Sequence, residues 1–425
     1  MEEKSLKEVL HINDLITCIA AEEEVFMVYE DLVNRKRSII AWGFRNIVSG
    51  SDVETLERIR NLLRRFSNRG EWVGLSKMLF GYASYDAVRL WEKVKDLRPY
   101  PEPWPYFEFF EPENVVIYDY TNNKVILEVI DNKKLMCRSR VTEPLHTKFY
   151  DAMLNGKEFE DAVNRILEYI RNGYAFQVVL SRFERYVVSG DLINLYIVLR
   201  DISPSPYTYF AKFWNRSIIG SSPELLFSIN GAVVETYPIA GTRPRGRSLE
   251  EDRRLEEELM LSEKDRAEHL MLVDLARNDL GKLSFPGTVK VEKLMYIEKY
   301  SHVQHIVSKI VGILRKRLDF VDVLKAMLPA GTVSGAPKPF AMNLIEELEY
   351  YKRGPYAGAI GYIDSENKSE MAITIRTAFI YNEILRLQAG AGIVYDSKSS
   401  LELEETEHKL ASLKEALKNA AKPLR

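Results

Sequence analysis

Residues 370–395, EMAITIRTAFIYNEILRLQAGAGIVY, hold two strand-like runs, 370–381 and 384–395, with only Asn382 and Glu383 between them. A third run, 357–363, precedes them, and a helical pattern from about Leu401 to Ala420 follows. Strands in succession with no helix between them are not a regular βαβ alternation, which argues against a Rossmann or TIM fold. An α+β fold built on antiparallel sheets fits instead. Upstream the pattern is equally mixed. An amphipathic helix over Glu158–Arg171, ended by Gly173, leads into a long strand pattern from Tyr174 to Val188. Short strands run on to Thr236, a charged helical region covers Leu249–Asp279, and strands return at Val289–Ile297 and Val303–Ile313. Helices follow at Phe320–Met327 and Phe340–Lys352. Nearer the N-terminus, Leu56, Ile59, Leu62, Leu63 and Phe66 fall at helical spacing, with Gly70 as a stop. Val115–Tyr120 and Lys124–Ile130 flank Thr121-Asn122-Asn123 as a hairpin. Five prolines from Pro99 to Pro112 exclude a helix there and mark an extended crossing, either an aromatic-rich strap or a recognition motif.

Composition sets the outer bounds. The 425 residues are 46% apolar and 28% charged, enough to bury a substantial core without disulfides or a structural metal. A net charge of −3 lacks the basic excess of a tail-driven nucleic-acid binder. Cys18 and Cys137 are the only cysteines, too few for a disulfide framework or a Cys-based zinc site. No apolar run approaches the roughly 18–20 residues of a membrane span. The charged start, MEEKSLKEVL, is no signal peptide, so the expectation is a soluble, cytoplasmic protein. Only Gln177, Gln304 and Gln388 are glutamines while Glu and Lys abound, a bias seen in proteins from hot environments.

Three constellations bear on chemistry. Asp265 and Glu268 stand three residues apart on one predicted helix, and Glu402 and Glu405 repeat the spacing on another. Each pair shares a helix face, so together they offer hard oxygen ligands for magnesium, or simply solvated faces of a Glu-rich protein. Glycine-rich turns at 240–246 (AGTRPRG), 330–338 (AGTVSGAPK) and 389–392 (AGAG) offer backbone amides to an anion, or are turns alone. The middle one lacks the Gly-Lys-Ser/Thr order of a phosphate-binding loop. His305 shares a strand face with Val303 and Val307, as a satisfied core histidine or as a general acid in a partly dry pocket.

Taken together these segments resemble the chorismate-utilising enzymes, most closely the large subunits of anthranilate synthases. The resemblance covers about residues 158–418. It rests on PIAGTRPRG (238–246), AEHLMLVDLARNDLG (267–281), YSHVQHIVS (300–308), AGTVSGAPK (330–338), YAGAIGY (356–362), IRTA (375–378), QAGAGIVYDS (388–397) and ELEET (402–406). It implies an α+β sandwich of antiparallel sheets with helices outside. The chorismate-binding catalytic region would span 150–418, and 1–145 would be an N-terminal region contributing to a tryptophan site.

By the resemblance, Glu268 and Glu405 bind Mg2+ directly, with Asp265 and Glu402 nearby. Arg376, Tyr356 and the amides of Gly390, Ala391 and Gly392 hold the carboxylates of chorismate. Gly241 and Thr242 line its ring, Glu224 and Lys409 complete the pocket, and His305 is the acid/base residue. The implied reaction adds ammonia to the ring carbon beside the carboxylate-bearing one, with loss of the ring hydroxyl, and then eliminates pyruvate to give anthranilate. In it His305 protonates the departing hydroxyl. Within the family, aminodeoxychorismate synthases carry a lysine where this chain has Ala240, and isochorismate and salicylate synthases carry one in the strand that holds Gln177. Neither lysine is present, so ammonia chemistry without enzyme covalency is expected. An aminodeoxyisochorismate synthase that stops before pyruvate loss, and a non-catalytic regulator sensing an anion, are the alternatives. A glutamine amidotransferase subunit is the expected partner, with no nucleic acid and no membrane. Feedback inhibition by tryptophan is expected at Glu30, Asp31, Pro206, Tyr207 and Thr208, although Asp31 replaces the family's serine.

Overall fold

Two antiparallel sheets share the main hydrophobic core of the computed structural model, which describes residues 2–5, 11–68, 77–130, 135, 141–300, 303–364 and 366–422. Gly70, Cys137, Ser301 and His302, named above, lie outside the described residues. The first sheet runs, in order, Glu2–Ser5, Lys124–Glu128, Asn114–Asp119, Arg37–Trp42, Val25–Asp31, Tyr207–Phe213, Arg216–Ser222, Thr377–Tyr381, Ile384–Ile393, Gln177–Ser189 and Gly335–Ala336. His146–Met153 adds to Gln177–Ser189. The second runs Ile239–Pro244, Val303–Ile313, Val233–Thr236, Leu225–Asn230, Lys368–Ile373, Ala359–Asp364, Met78–Ala83, Phe107–Glu111 and Asn46–Gly50. Lys290–Lys299 pairs with Val303–Ile313. Strands from before residue 145 thus lie beside later strands in both sheets.

The helices are α1 (Ile12–Glu22), α2 (Val53–Asn68), α3 (Lys157–Arg171), α4 (Leu192–Ile202), α5 (Leu249–Leu261), α6 (Glu263–Gly281), α7 (Phe320–Met327), α8 (Lys338–Leu348) and α9 (Ser399–Ala420). None of the helices described is long and apolar enough to cross a membrane. Side-chain alternation along each strand assigns its residues to one of two layers. Val25, Met27 and Tyr29 enter the core between the sheets, while Phe26 and Val28 face a second core under α1, α4 and α9. Helix α9 commits Leu410, Leu413 and Leu417 to that second core, at the three- and four-residue spacing of one helix face. A third cluster, with Phe159, Val163, Ile166 and Ile170, packs α3 against α8.

Two sequence expectations about the helices are corrected. The stretch 190–205, read among the short strands, contains helix α4. Its β-branched and aromatic run is ambiguous by periodicity, and burial of Tyr196 and Leu199 against α9 and α1 selects the helix. The charged region 249–279 is two helices, because the Ser262 hydroxyl accepts from the Asp265 amide and starts α6 afresh.

Candidate active site

The run 370–381 is not one strand. Lys368–Ile373 belongs to the second sheet and Thr377–Tyr381 to the first, so the chain passes between sheets in three residues. Arg376, in that crossing, has φ +51°, a left-handed conformation that costs a residue with a Cβ about 1–2 kcal/mol. Its carbonyl accepts from the Ser221 amide at 3.2 Å. Its guanidinium makes no hydrogen bond or ion pair with any described residue, and burial pushes its pKa down. A strained residue holding a desolvated, unpaired cation is a receptor in want of an anion.

The crossing also opens a sheet edge. Pairing of Thr377–Tyr381 with Ile384–Ile393 ends at Ala378 and Leu387. Beyond it, the Ser181 amide donates to Glu349 Oε1 at 2.8 Å and the Val179 amide to the Ser334 carbonyl at 3.0 Å. The Ser181/Gly390 and Val179/Gly392 pairs are therefore the non-bonded kind, and the amides of Gly390 and Gly392 turn to the open edge. Ala391 does not join them. By the same alternation its amide serves the ladder, and its methyl lies in the α3–α8 cluster. A Cβ on Gly392 would stand 2.6 Å from Gln177 Nε2, so a larger residue there would push the Gln177 amide aside.

This edge borders a cavity of about 200 Å3. Glu224, Gly241, Thr242, Glu268, His305, Tyr356, Arg376, Gly390, Gly392, Glu405 and Lys409 all line it, together with Ala240 and Gln177. Thr332 and Gln388 line it too. Sequence reasoning assigned neither a role, although each sits inside a quoted motif.

His305 Nδ1 lies 3.1 Å from the Gly241 carbonyl and 2.9 Å from Thr242 Oγ1. A carbonyl only accepts, so Nδ1 carries the proton, and the buried Nε2, which has no partner, presents a lone pair. Burial and then the Arg376 cation push the imidazole down to about 4. Glu224 moves the other way: burial pushes its carboxyl up to about 8, against the pull of Thr332, Lys409 and Arg376. At neutral pH His305 is therefore unprotonated and Glu224 protonated, so the imidazole can accept a proton and the carboxyl can give one.

The carboxylates cluster at one wall. Gln177 Nε2 donates to Glu268 Oε1 at 3.0 Å, and Lys409 Nζ contacts Glu405 Oε1 at 2.7 Å and the Gly390 carbonyl at 2.8 Å. Burial, followed by the charge of Glu405, raises the pKa of Glu268, and burial, with a smaller push from Glu405, raises that of Glu402. Carboxylates that resist ionisation together are a donor set that a hard divalent cation would relieve. Among the described residues, no three potential ligands already converge on one point. Asp265 stands apart from the cavity lining, below Gly241 and paired with Arg243 at 3.1 Å.

A second cavity, of about 190 Å3, receives Asp31, Pro206 and Tyr207 but neither Glu30 nor Thr208. Neighbours along a strand point to opposite faces, so Asp31 looks toward the second sheet while Glu30 turns to the helix side. There Glu30 accepts from Ser38 Oγ and the Tyr196 hydroxyl, both at 2.6 Å, and from Arg200 at 3.5 Å. Thr208, the cross-strand partner of Glu30, lies 3.3 Å from Ser221 Oγ. In place of Glu30 the second cavity has Glu370, which is buried, paired to Arg35 at 2.7 Å through one oxygen and without a hydrogen-bond partner at Oε1.

The profile described as chorismate binding enzyme matches residues 24–415. Anthranilate synthase component 1 of Saccharolobus solfataricus is 52% identical over 422 residues, covering 98% of this chain and 99% of that protein. Its counterpart in Aeropyrum pernix is 47% identical, covering 91% and 88%. The crystal structure of anthranilate synthase component I from Streptococcus pneumoniae superposes with a TM-score of 0.79 at 34% identity, covering 90% of this chain and 92% of that one. MenF, the menaquinone-specific isochorismate synthase of Escherichia coli, shares the fold, with a TM-score of 0.80 at 20% identity and coverage of 98% and 94%.

Proposed function

The chain belongs to the chorismate-binding enzymes, and from that premise we propose that it acts as the synthase component of an anthranilate synthase. It converts chorismate to anthranilate, a lyase reaction. The observation that carries this reading into the site is the unpaired guanidinium of Arg376 beside the free amides of Gly390 and Gly392. Such a receptor suits a substrate with two carboxylates. Replacing Arg376 with Met removes the cation without adding bulk. It is expected to raise KM for chorismate about 100-fold or more, as loss of a buried charge pair does, in steady-state assays of a variant whose fold is checked by circular dichroism.

In the reaction, Arg376 and the two amides orient the dianion, and Glu224 protonates the departing hydroxyl as ammonia adds. The Nε2 lone pair of His305 takes the proton lost when the ring becomes aromatic and pyruvate leaves. Glu268 and Glu405 would hold magnesium, with Glu402 and Asp265 behind them. When bound, the metal supplies Lewis-acid polarisation of the ring carboxylate. Ala240 and the amide of Gln177 offer no amine for covalent catalysis or water activation, and Lys409 is engaged by Glu405 and Gly390.

The nitrogen comes from ammonia. Cys18 is buried on α1 and disulfide-bonded, so it offers no nucleophilic thiolate for hydrolysing glutamine. An amidotransferase subunit is therefore the partner that delivers ammonia. The test is incubation of the pure chain with chorismate, a magnesium salt and an ammonium salt. Anthranilate fluorescence and pyruvate should appear together, and glutamine should not replace ammonium. An aminated product without pyruvate would mean an aminodeoxyisochorismate synthase, and untouched chorismate an anion sensor.

The second cavity is the tryptophan site. Glu370 Oε1 and Asp31 receive the ammonium group, Arg35 the carboxylate, and Tyr207 and Tyr237 the indole. L-Tryptophan titrated into the ammonia-dependent assay should inhibit at up to millimolar concentration. Glu370→Gln should weaken that inhibition about tenfold or more, as loss of a charge-assisted hydrogen bond does. Glu30→Gln, altering a carboxylate on the far face, should shift it far less.

A further inference from the structure

The two cavities are neighbours, and His305 lines the first of them. Pro223 and Ile239 line both. Val307, on the same strand face as His305, lines the second. Tyr300, on the wall of the second cavity, sets its ring 5.7 Å from the His305 ring, centroid to centroid, with the planes inclined at 55°. Glu298, also on that wall, is the cross-strand partner of His305 and accepts a hydrogen bond from the Tyr300 hydroxyl at 2.6 Å. The backbone of Tyr300 is pinned as well. Its amide donates to the Val303 carbonyl at 2.8 Å, and its carbonyl accepts from Arg245 Nη1 at 2.7 Å.

With its backbone pinned, the Tyr300 ring cannot swing out from between the second cavity and the imidazole, so a ligand packed against it pushes it toward His305. In a close-packed wall, displacement on one side reaches the side chain on the other. We propose that Tyr300 transmits occupancy of the second cavity to His305, so that a bound aromatic amino acid slows the reaction by pressing this ring on the imidazole. Tyr300 is thus a positioning residue for His305 and a wall of the effector site. The inference rests on the readings of His305 as base and of the second cavity as an effector site. It competes with a route through Pro223 to Glu224.

Two arms test it. In the first, calorimetry measures L-tryptophan binding to the unaltered chain, Tyr300→Phe and Tyr300→Leu, beside ammonia-dependent turnover at saturating tryptophan. Coupling of ordinary size gives about tenfold inhibition in the unaltered chain and in Tyr300→Phe, which keeps the ring, but under about twofold in Tyr300→Leu. Tyr300→Leu that binds tryptophan and is inhibited as fully as the unaltered chain overturns the proposal. If the unaltered chain binds no tryptophan, the effector's identity fails, and the second arm decides the coupling. Asn34, exposed on the rim of the second cavity, is replaced by Cys and alkylated with N-phenylmaleimide, with the reagent-treated parent as control. Alkylation should lower turnover about tenfold beside Tyr300 and under about twofold in the Tyr300→Leu background. Equal turnover before and after alkylation, or an equal loss in both backgrounds, overturns the proposal. This arm also serves if Tyr300→Leu has lost affinity for tryptophan.

Discussion

Chorismate turnover is expected to fall by about a thousandfold or more in a Glu268→Gln, Glu405→Gln variant, the scale at which several kcal/mol of metal-derived transition-state stabilisation is lost. EDTA should do the same to the unaltered chain, and added magnesium should reverse it. Glutamine keeps the shape of each side chain and removes only its charge, so packing is preserved. Both positions already show that their charges interact, since Glu405 helps to raise the pKa of Glu268. Two carboxylates facing a dianionic substrate would repel it, and a divalent cation reverses that sign. Magnesium titrated calorimetrically into the double variant should give no binding heat. Undiminished turnover by that variant would remove the metal assignment.

The second large effect lies in acid–base chemistry. His305→Ala should slow anthranilate formation by about 100- to 10,000-fold, the usual contribution of a positioned general base. The pH profile identifies which group does what. The base must be unprotonated, so kcat/KM rises as pH climbs through about 4, where His305 titrates in the free enzyme. The acid must be protonated, so it falls as pH climbs through about 8, where Glu224 titrates. Rates must be referred to the concentration of free NH3, which itself grows with pH. Glu224→Gln should remove the alkaline limb from whatever activity remains. An alkaline limb that persists near the same pH in that variant would rule out Glu224 as the proton donor.

Much of this was legible in the sequence, and the failures have physical reasons. Motif residues on glycine turns and strand ends were read in place, because turn chemistry and period-2 alternation are local properties. The break at Thr374–Arg376 was not. Ile373 and Thr377 both suit strands, and nothing local says that they serve different sheets. Helix α4 was missed because its Ile and Val residues fit a strand equally well, and burial against α1 and α9 decided it. Glu30 and Asp31 were expected to act together, yet adjacent strand residues cannot face one ligand from the same sheet surface, and parity alone should have separated them. Glu370 carries no local signal at all. It joins the wall of the second cavity through a cross-sheet approach to Arg35, 335 positions away in the chain.

The passage of the chain between the sheets at Arg376 has a mechanical consequence. Arg376 lies on the crossing and Gly390 and Gly392 on the first sheet, whereas Thr242 and His305 belong to the second. Substrate held by both acts as a cross-brace between two slabs that the chain itself joins here by only three residues. Loosening of one slab against the other should then weaken substrate binding even while the shared core keeps the fold.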